Sequence, residues 1–212
     1  MSSLLLILAK TDSELDWRRI SELLNHHALT QVLVYTSKES ELNLIAFLCF
    51  YHLDPTQMLG TQPELLSVLA SWAGVTFEYR LYQPLQYYNK SVHSGSHILI
   101  MNAMTPDPNA EGRFNDWYTE EHIPLLRCIP SWISSERYHL ISATTSDVPR
   151  HLALHKLGDS SAFDTEQYKT ATNTPWRTEV ITKVVDKQRL ILKYIGELDS
   201  LAATSIVSTR SP

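Results

Sequence analysis

Three observations predict an α+β fold made of two copies of one βαββαβ unit. Strand-like apolar runs and helical periodicity occur in the same order twice, a polar stretch divides the two runs, and a few residues recur at a nearly constant spacing. Asp16-Trp17 returns as Asp116-Trp117 at an offset of 100, and Leu53 and Trp72 return as Leu157 and Trp176 at an offset of 104. The divider is Tyr88 to Ser96, rich in small and polar residues. The predicted halves are therefore 1–88 and 97–195, followed by a C-terminal tail over 196–212. This unit is the ferredoxin-like motif, whose antiparallel sheet has helices on one face and leaves the other bare. Two such sheets packed face to face give a pseudo-dimeric α+β barrel within one chain, with room for a ligand.

Taken in order, Leu4 to Lys10 reads as a buried strand, and Thr11-Asp12-Ser13-Glu14 has the T-x-x-E spacing of a capping box before a helix over Ser13 to His26. Val32 to Thr36 and Leu42 to Leu53 are rich in β-branched and aromatic residues and predict a hairpin-like pair of strands. Pro63 to Trp72 reads as a helix ended by Gly74, and Thr76 to Leu85 as the fourth strand. In the second half, strands are expected at His97 to Met104, Ile133 to Ile141, Leu152 to Leu157 and Gln188 to Ile195. Helices are expected at Arg113 to Cys128 and Ser161 to Ala171, with Asn173-Thr174-Pro175-Trp176-Arg177 as an interruption and Ala202 to Pro212 as a frayed end.

The chain of 212 residues is 43% hydrophobic and 19% charged, ample for a real core. Its net charge of -5 is spread without any basic cluster, which argues against a nucleic-acid partner. The apolar start, Leu4 to Ala9, lacks a basic leader and stops at Lys10, and no stretch reaches the length of a membrane span, so a soluble cytoplasmic protein is expected. Cys49 and Cys128 stand alone, outside disulfide or zinc spacing. There is no Gly-rich phosphate loop, nucleophile elbow or H-E-x-x-H, which disfavours nucleotide-dependent chemistry.

The functional signal is concentrated in the second half. Phe114, Trp117, Tyr118, Glu121, His122 and Leu125 share one helix face, an apolar stripe carrying a phenol, a carboxylate and an imidazole that would titrate near neutral pH. Pro124 removes a backbone donor, so the helix is expected to bend or end beside His122. A partly buried structural histidine is the competing reading. In the strand Arg150 to Leu157, alternation sets His151, Ala153 and His155 on one face, with Leu152 and Leu154 on the helix-packed face, so His155 is expected to face the cavity. One metal ion held by His151 and His155 is not expected, because four strand residues span about 13 Å. Arg137 and His139 share a face opposite Tyr138, and Arg137 suits either an acidic substrate or a salt bridge to a helix glutamate.

Phe114-Asn115-Asp116-Trp117-Tyr118, then Glu121-His122-Ile123-Pro124-Leu125, Pro130 and Arg137-Tyr138 resemble the EthD-like branch of the dimeric α+β barrel superfamily, and Asn173 to Arg177 fits the fungal EthD-domain proteins. The resemblance covers about residues 97–195. Glu22 stands where the first half would carry the histidine, so that half reads as degenerate. The resemblance implies a small-molecule enzyme without organic cofactor, similar to the polyketide cyclases, decarboxylases and isomerases of secondary metabolism, hence a lyase or isomerase. Cofactor-free monooxygenases and haem-binding branches belong to the same superfamily, and a non-catalytic ligand-binding module is the further alternative. On this reading His122 is the acid/base, assisted by Tyr118 and His155, with Trp117, Glu121, Arg137, Tyr138 and His139 around the substrate. The partner is a small molecule, and the chain is a monomer or an outer-surface homodimer.

Overall fold

The structure, a computed structural model, describes residues 2–25, 29–39, 42–51, 67–69, 71–90, 95 and 97–208. Its strands are β1 (Ser3–Thr11), β2 (Gln31–Glu39), β3 (Leu42–Tyr51), β4 (Val75–Asn89), β5 (Ile98–Pro106), β6 (Trp132–Ala143), β7 (His151–Leu157) and β8 (Val184–Glu197). The helices are α1 (Trp17–Asn25), α2 (Glu111–Asp116), α3 (Ile123–Leu126), α4 (Glu166–Ala171), α5 (Pro175–Ile181) and α6 (Leu198–Ser208), with a π-helical stretch over Trp117–His122 joining α2 to α3. The strands hydrogen-bond in the closed order β1-β3-β2-β8-β5-β7-β6-β4, so the fold is an α+β barrel. The order fourth-first-third-second occurs twice, as β4-β1-β3-β2 and as β8-β5-β7-β6. Among the described residues no helix is long and apolar enough to cross a membrane.

Two compact units are distinguishable, one of Met1–Pro84, Leu140–Ser146 and Leu192–Pro212, the other of Leu85–His139 and Asp147–Ile191. In the first, β1 is buried almost throughout, because apolar residues occupy both of its faces. Leu5, Ile7 and Ala9, with Val34, Phe47 and Cys49, meet Ile20 and Leu24 of α1. The capping box expected at Thr11 does not form, since β1 still pairs there with Asn43 and Val75 and the chain stays extended. Asp16 caps α1 instead, its Oδ1 accepting from the Arg19 amide at 3.1 Å. The predicted tail is corrected over its described residues: 196–208 are the end of β8 followed by α6, and 209–212 lie outside the described residues. Leu198 enters the α1 core, and Ser21 Oγ donates to Asp199 Oδ1 at 2.9 Å, which ties α6 to α1. Of the predicted helix Pro63 to Trp72, residues 67–69 are helical and most of the rest lies outside the described residues. Most of the expected divider, 91–94 and 96, lies outside them too, while Tyr88 and Asn89 belong to β4.

In the second unit β7 lies between β5 and β6, with His155 opposite both Ile100 and Ser135, and His151 opposite both Met104 and His139. The segment read as an interruption is the start of α5. Thr174 Oγ1 accepts from the Arg177 amide at 3.0 Å, and Pro175 occupies the first turn, where a missing amide costs nothing.

Candidate functional site

The helix carrying the aromatic stripe does not end at His122. It passes through the π-helical stretch Trp117–His122 and continues to Leu126. The Ile123 amide reaches back five residues to the Tyr118 carbonyl. Pro124 is the physical reason: in a regular helix its ring would collide with the carbonyl four residues earlier, and a wider turn relieves that contact. The wider turn changes which side chains meet. At α-helical pitch residues five apart diverge by about 140°, whereas here the Trp117 and His122 rings stack with centroids 4.4 Å apart. Tyr118 stands edge-on to His122 at 5.5 Å.

Beneath this turn lies the sheet face made by Ile100, Asn102 and Met104 of β5, His151, Ala153 and His155 of β7, and Ser135, Arg137 and His139 of β6. The alternation expected in β7 is present, but the faces are reversed: Ala153 packs with Phe114, Trp117 and Tyr118, while Leu152 and Leu154 point to the sheet's other face. The large aromatic rings need a small partner below them, and Ala153 supplies it. His155 therefore faces the helices.

A cavity opens between sheet and helices, with about 40 Å³ of room for water-sized molecules; its lining includes Asn102, Trp117, His122, His155, Arg177 and Arg189. His122 is 5% exposed, and its Nδ1 lies 3.1 Å from the Ala171 carbonyl. A carbonyl only accepts, so Nδ1 carries the proton and Nε2 is left as an unprotonated lone pair on a ring that lines the cavity. Burial, with the charges of Arg177, Arg189 and Arg137, lowers the His122 pKa to about 3, although the bond to Ala171 opposes this. The expected near-neutral titration is thereby corrected. His155 is fully enclosed, its ring 5.7 Å from that of His122; its Nδ1 meets Ser135 Oγ at 2.9 Å, and its Nε2 has no partner among the described residues. Its pKa also lies well below the usual value, through burial and the neighbouring His122. Burial pushes the Tyr118 hydroxyl up to about 12, against the pull of Arg137, Arg189 and Arg177. At neutral pH the site thus holds two neutral imidazoles and a protonated phenol under a positive potential.

The other expected site residues divide. Arg137 lies under the helix, its guanidinium 4.3 Å from the Tyr118 ring centroid. It donates to Gln86 Oε1 at 3.0 Å and Asn115 Oδ1 at 2.6 Å, so its partners are neutral amides, not a helix glutamate. Glu121 accepts from Thr174 Oγ1 and ties the π turn to the start of α5, outside the cavity lining. Tyr138 is on the opposite sheet face, where its hydroxyl donates to Glu136 Oε2 at 2.6 Å. His139 lies beside His151, ring centroids 5.1 Å apart. Arg177, Arg189, Asn102 and Tyr168 line the cavity and were not singled out from the sequence. Arg189 donates to Tyr168 Oη at 2.9 Å and Asn102 Oδ1 at 3.3 Å.

No protein-family profile matches the chain, and no curated protein matches it. Solved structures do. The chain is similar to an anthrone oxidase-like protein at 10% identity and a TM-score of 0.62, covering 92% of each chain. It is also similar to chlorite dismutase from Candidatus Nitrospira defluvii (13%, 0.57, covering 96% of this chain and 95% of that one). A monooxygenase-like protein from Listeria innocua matches at 13% and 0.53, covering 92% and 94%. The fold is the dimeric α+β barrel. At these identities the likeness speaks for the fold alone. Within the dimeric α+β barrel fold, the chemistry has to be argued from the cavity's own residues.

Proposed function

We propose that the chain is an enzyme of the EthD-like type acting by proton transfer on a hydrophobic, enolisable or phenolic small molecule, such as a polyketide-like acid. One observation carries this reading: the His122 Nδ1 proton is held by Ala171, which leaves Nε2 as a lone pair on a ring that lines the cavity with Arg177 and Arg189. Nε2 takes a proton from an acidic C–H or O–H of the substrate. The resulting anion lies beside the new imidazolium and the two guanidiniums, an arrangement stronger in the transition state than before proton transfer. Return of the proton to another atom gives isomerisation or cyclisation; departure of carbon dioxide or water gives the lyase outcome. A positioned base is worth about 10²–10⁴ in rate, most when its pKa is near the working pH. A pKa near 3 makes the imidazole on its own a weak base, and a bound acidic substrate raises it by charge pairing. His155 orients the substrate, and Tyr118 positions His122 through ring contact. The recurrent strand order supports two ferredoxin-like halves near 1–88 and 97–195, of which the second carries the site.

Monooxygenation is the second reading, favoured by the oxidase-like and monooxygenase-like neighbours; a carbanion or phenolate formed by the same proton transfer would be the species that meets oxygen. Mass spectrometry of hydrophobic phenolic and enolisable acids incubated with the protein, with and without oxygen, tests the reading. Loss of carbon dioxide or water, or isomer formation, supports it, gain of oxygen supports the second reading, and binding without conversion overturns both. His122→Gln keeps shape but cannot take the proton, so turnover should fall about 10²-fold or more with folding intact. Near-native turnover in that variant removes His122 from the mechanism.

A further inference from the structure

A second polar cluster lies at the start of the same helix, outside the cavity lining. Glu111 comes from the first turn of α2, His139 from β6 and His151 from β7, where the register sets the two histidines directly opposite each other. Each offers one ligand atom, and the three atoms lie within 4.8 Å of one another. His151 Nε2 is 3.0 Å from Glu111 Oε1. That is close to the separation of about 3.0–3.4 Å between two ligand atoms bound at about 2.1 Å to one centre. His151 is 4% exposed, and its Nδ1 and the Nδ1 of His139 are buried without a partner among the described residues. Arg150 Nη2, which donates to the Pro106 carbonyl at 3.3 Å, stands 3.8 Å from Glu111 Oε2 and adds positive charge beside the carboxylate. A buried imidazole nitrogen left bare is costly unless something meets it, and the His139 Nδ1 is such an atom; an ion held by the His151 Nε2 that faces Glu111 leaves the His151 Nδ1 as it is.

We propose that Glu111, His139 and His151 form a three-ligand site for a divalent first-row transition-metal ion. Two imidazoles and one carboxylate are a donor set suited to zinc or iron(II), and three protein ligands leave coordination positions for water or an outside ligand. The site is separate from the proton-transfer cavity, and Phe114 stands between His151 and Tyr118, its ring 5.2 Å from each. A bound ion links the first turn of α2 to β6 and β7, and so holds the helix that carries the π turn.

The sequence hides this site because the ligands are spread over forty residues and meet only through strand pairing.

The test uses the full, tag-free chain, stripped with a chelator and titrated with zinc, followed by metal analysis after dialysis and by calorimetry. Cobalt(II), added in parallel, reports the ligand field through its visible absorption. The expected result is about one ion per chain with a cobalt spectrum of a nitrogen- and oxygen-ligated centre. Glu111→Gln and His139→Gln should each weaken binding by more than the roughly 10–100-fold produced by outer-sphere changes. Both positions are only half-buried, so these variants avoid the folding risk of replacing His151. Binding well below one ion per chain in the parent, or binding unchanged in both variants, overturns the proposal.

Discussion

The same strand position does opposite work in the two units. At the offset of 104, Phe47, Cys49 and Tyr51 of β3 correspond to His151, Ala153 and His155 of β7, and both sets face their own unit's helix. Under α1 the three positions join an apolar core, 0–1% exposed, in which the Tyr51 hydroxyl is buried without a partner among the described residues. Under the π turn two of the three are imidazoles, and a third imidazole comes down from the helix. The lesson concerns where polarity is tolerated. Burying a polar group with a missing partner costs about 1–3 kcal/mol; at this layer the first unit bears that cost at the Tyr51 hydroxyl and the second at both His151 and His155, so the repeat concentrates polarity in one copy.

Exchanging the chemistry between the copies tests this most strongly. Phe47→His removes aromatic packing and buries an imidazole among Leu5, Ile7 and Val34, which offer no side-chain partner, and should destabilise by about 3–5 kcal/mol. His155→Leu, in contrast, gives up one bond to Ser135 and an unpartnered Nε2, and should change stability by less than about 1.5 kcal/mol. Urea unfolding of both variants checks the pair. Equal losses would show that the second unit packs around its histidines as tightly as the first packs around Phe47.

The next largest effect is a pH dependence confined to the second unit. The His122 pKa is about 3 when folded, against about 6.5 in an unfolded chain. Between those values the unfolded chain binds the proton and the folded one does not, so stability rises with pH across that window. The contribution is whole above about pH 6.5 and is lost as pH falls toward 3. From pH 6.5 to 5 this is about 2 kcal/mol for His122. His122→Gln should flatten the acid limb of stability against pH by about that much, and an unchanged limb would mean that the imidazole is already charged in the fold.

Much of the fold was legible because it depends on local pattern. The continuous apolar run of β1 and the alternation in β7 follow from which faces are buried, and the repeated element order implied the barrel. The misreadings come from effects that act across distance. Thr11 failed as a cap because two neighbouring strands hold it extended. The tail became a helix because Leu198 finds a core contributed by distant residues. In the site, Trp117, Tyr118, His122 and His155 were identified and do lie together, but the face of β7 was reversed and the π turn was missed. Pro124 was the available signal, and a pairing of aromatic rings five apart was the feature to look for. Arg177 and Arg189 reach the cavity from α5 and β8; Arg177 closes the Asn173 to Arg177 stretch noted in the resemblance, whereas nothing in the neighbourhood of Arg189 marks it.

The smallest effect asks whether the helix position or the π turn makes His122 special. Glu22 of α1 occupies the corresponding place at the offset of 100, in a helix of regular pitch, and its side chain is 64% exposed. Its carboxylate accepts from Arg18 Nε at 2.9 Å, a surface i,i+4 pair worth about 0.3–0.5 kcal/mol. Glu22→His should therefore cost no more than about 0.5 kcal/mol, and the introduced imidazole should titrate near the ordinary 6.5, because water and not the sheet surrounds it. Proton NMR across pH reads that value directly. A strongly depressed pKa at this position would mean that any imidazole at this point of the repeat is drawn into the sheet, and the π turn would lose its role. An ordinary value leaves the wider turn, and the ring stacking it permits between Trp117 and His122, as what carries the imidazole inward.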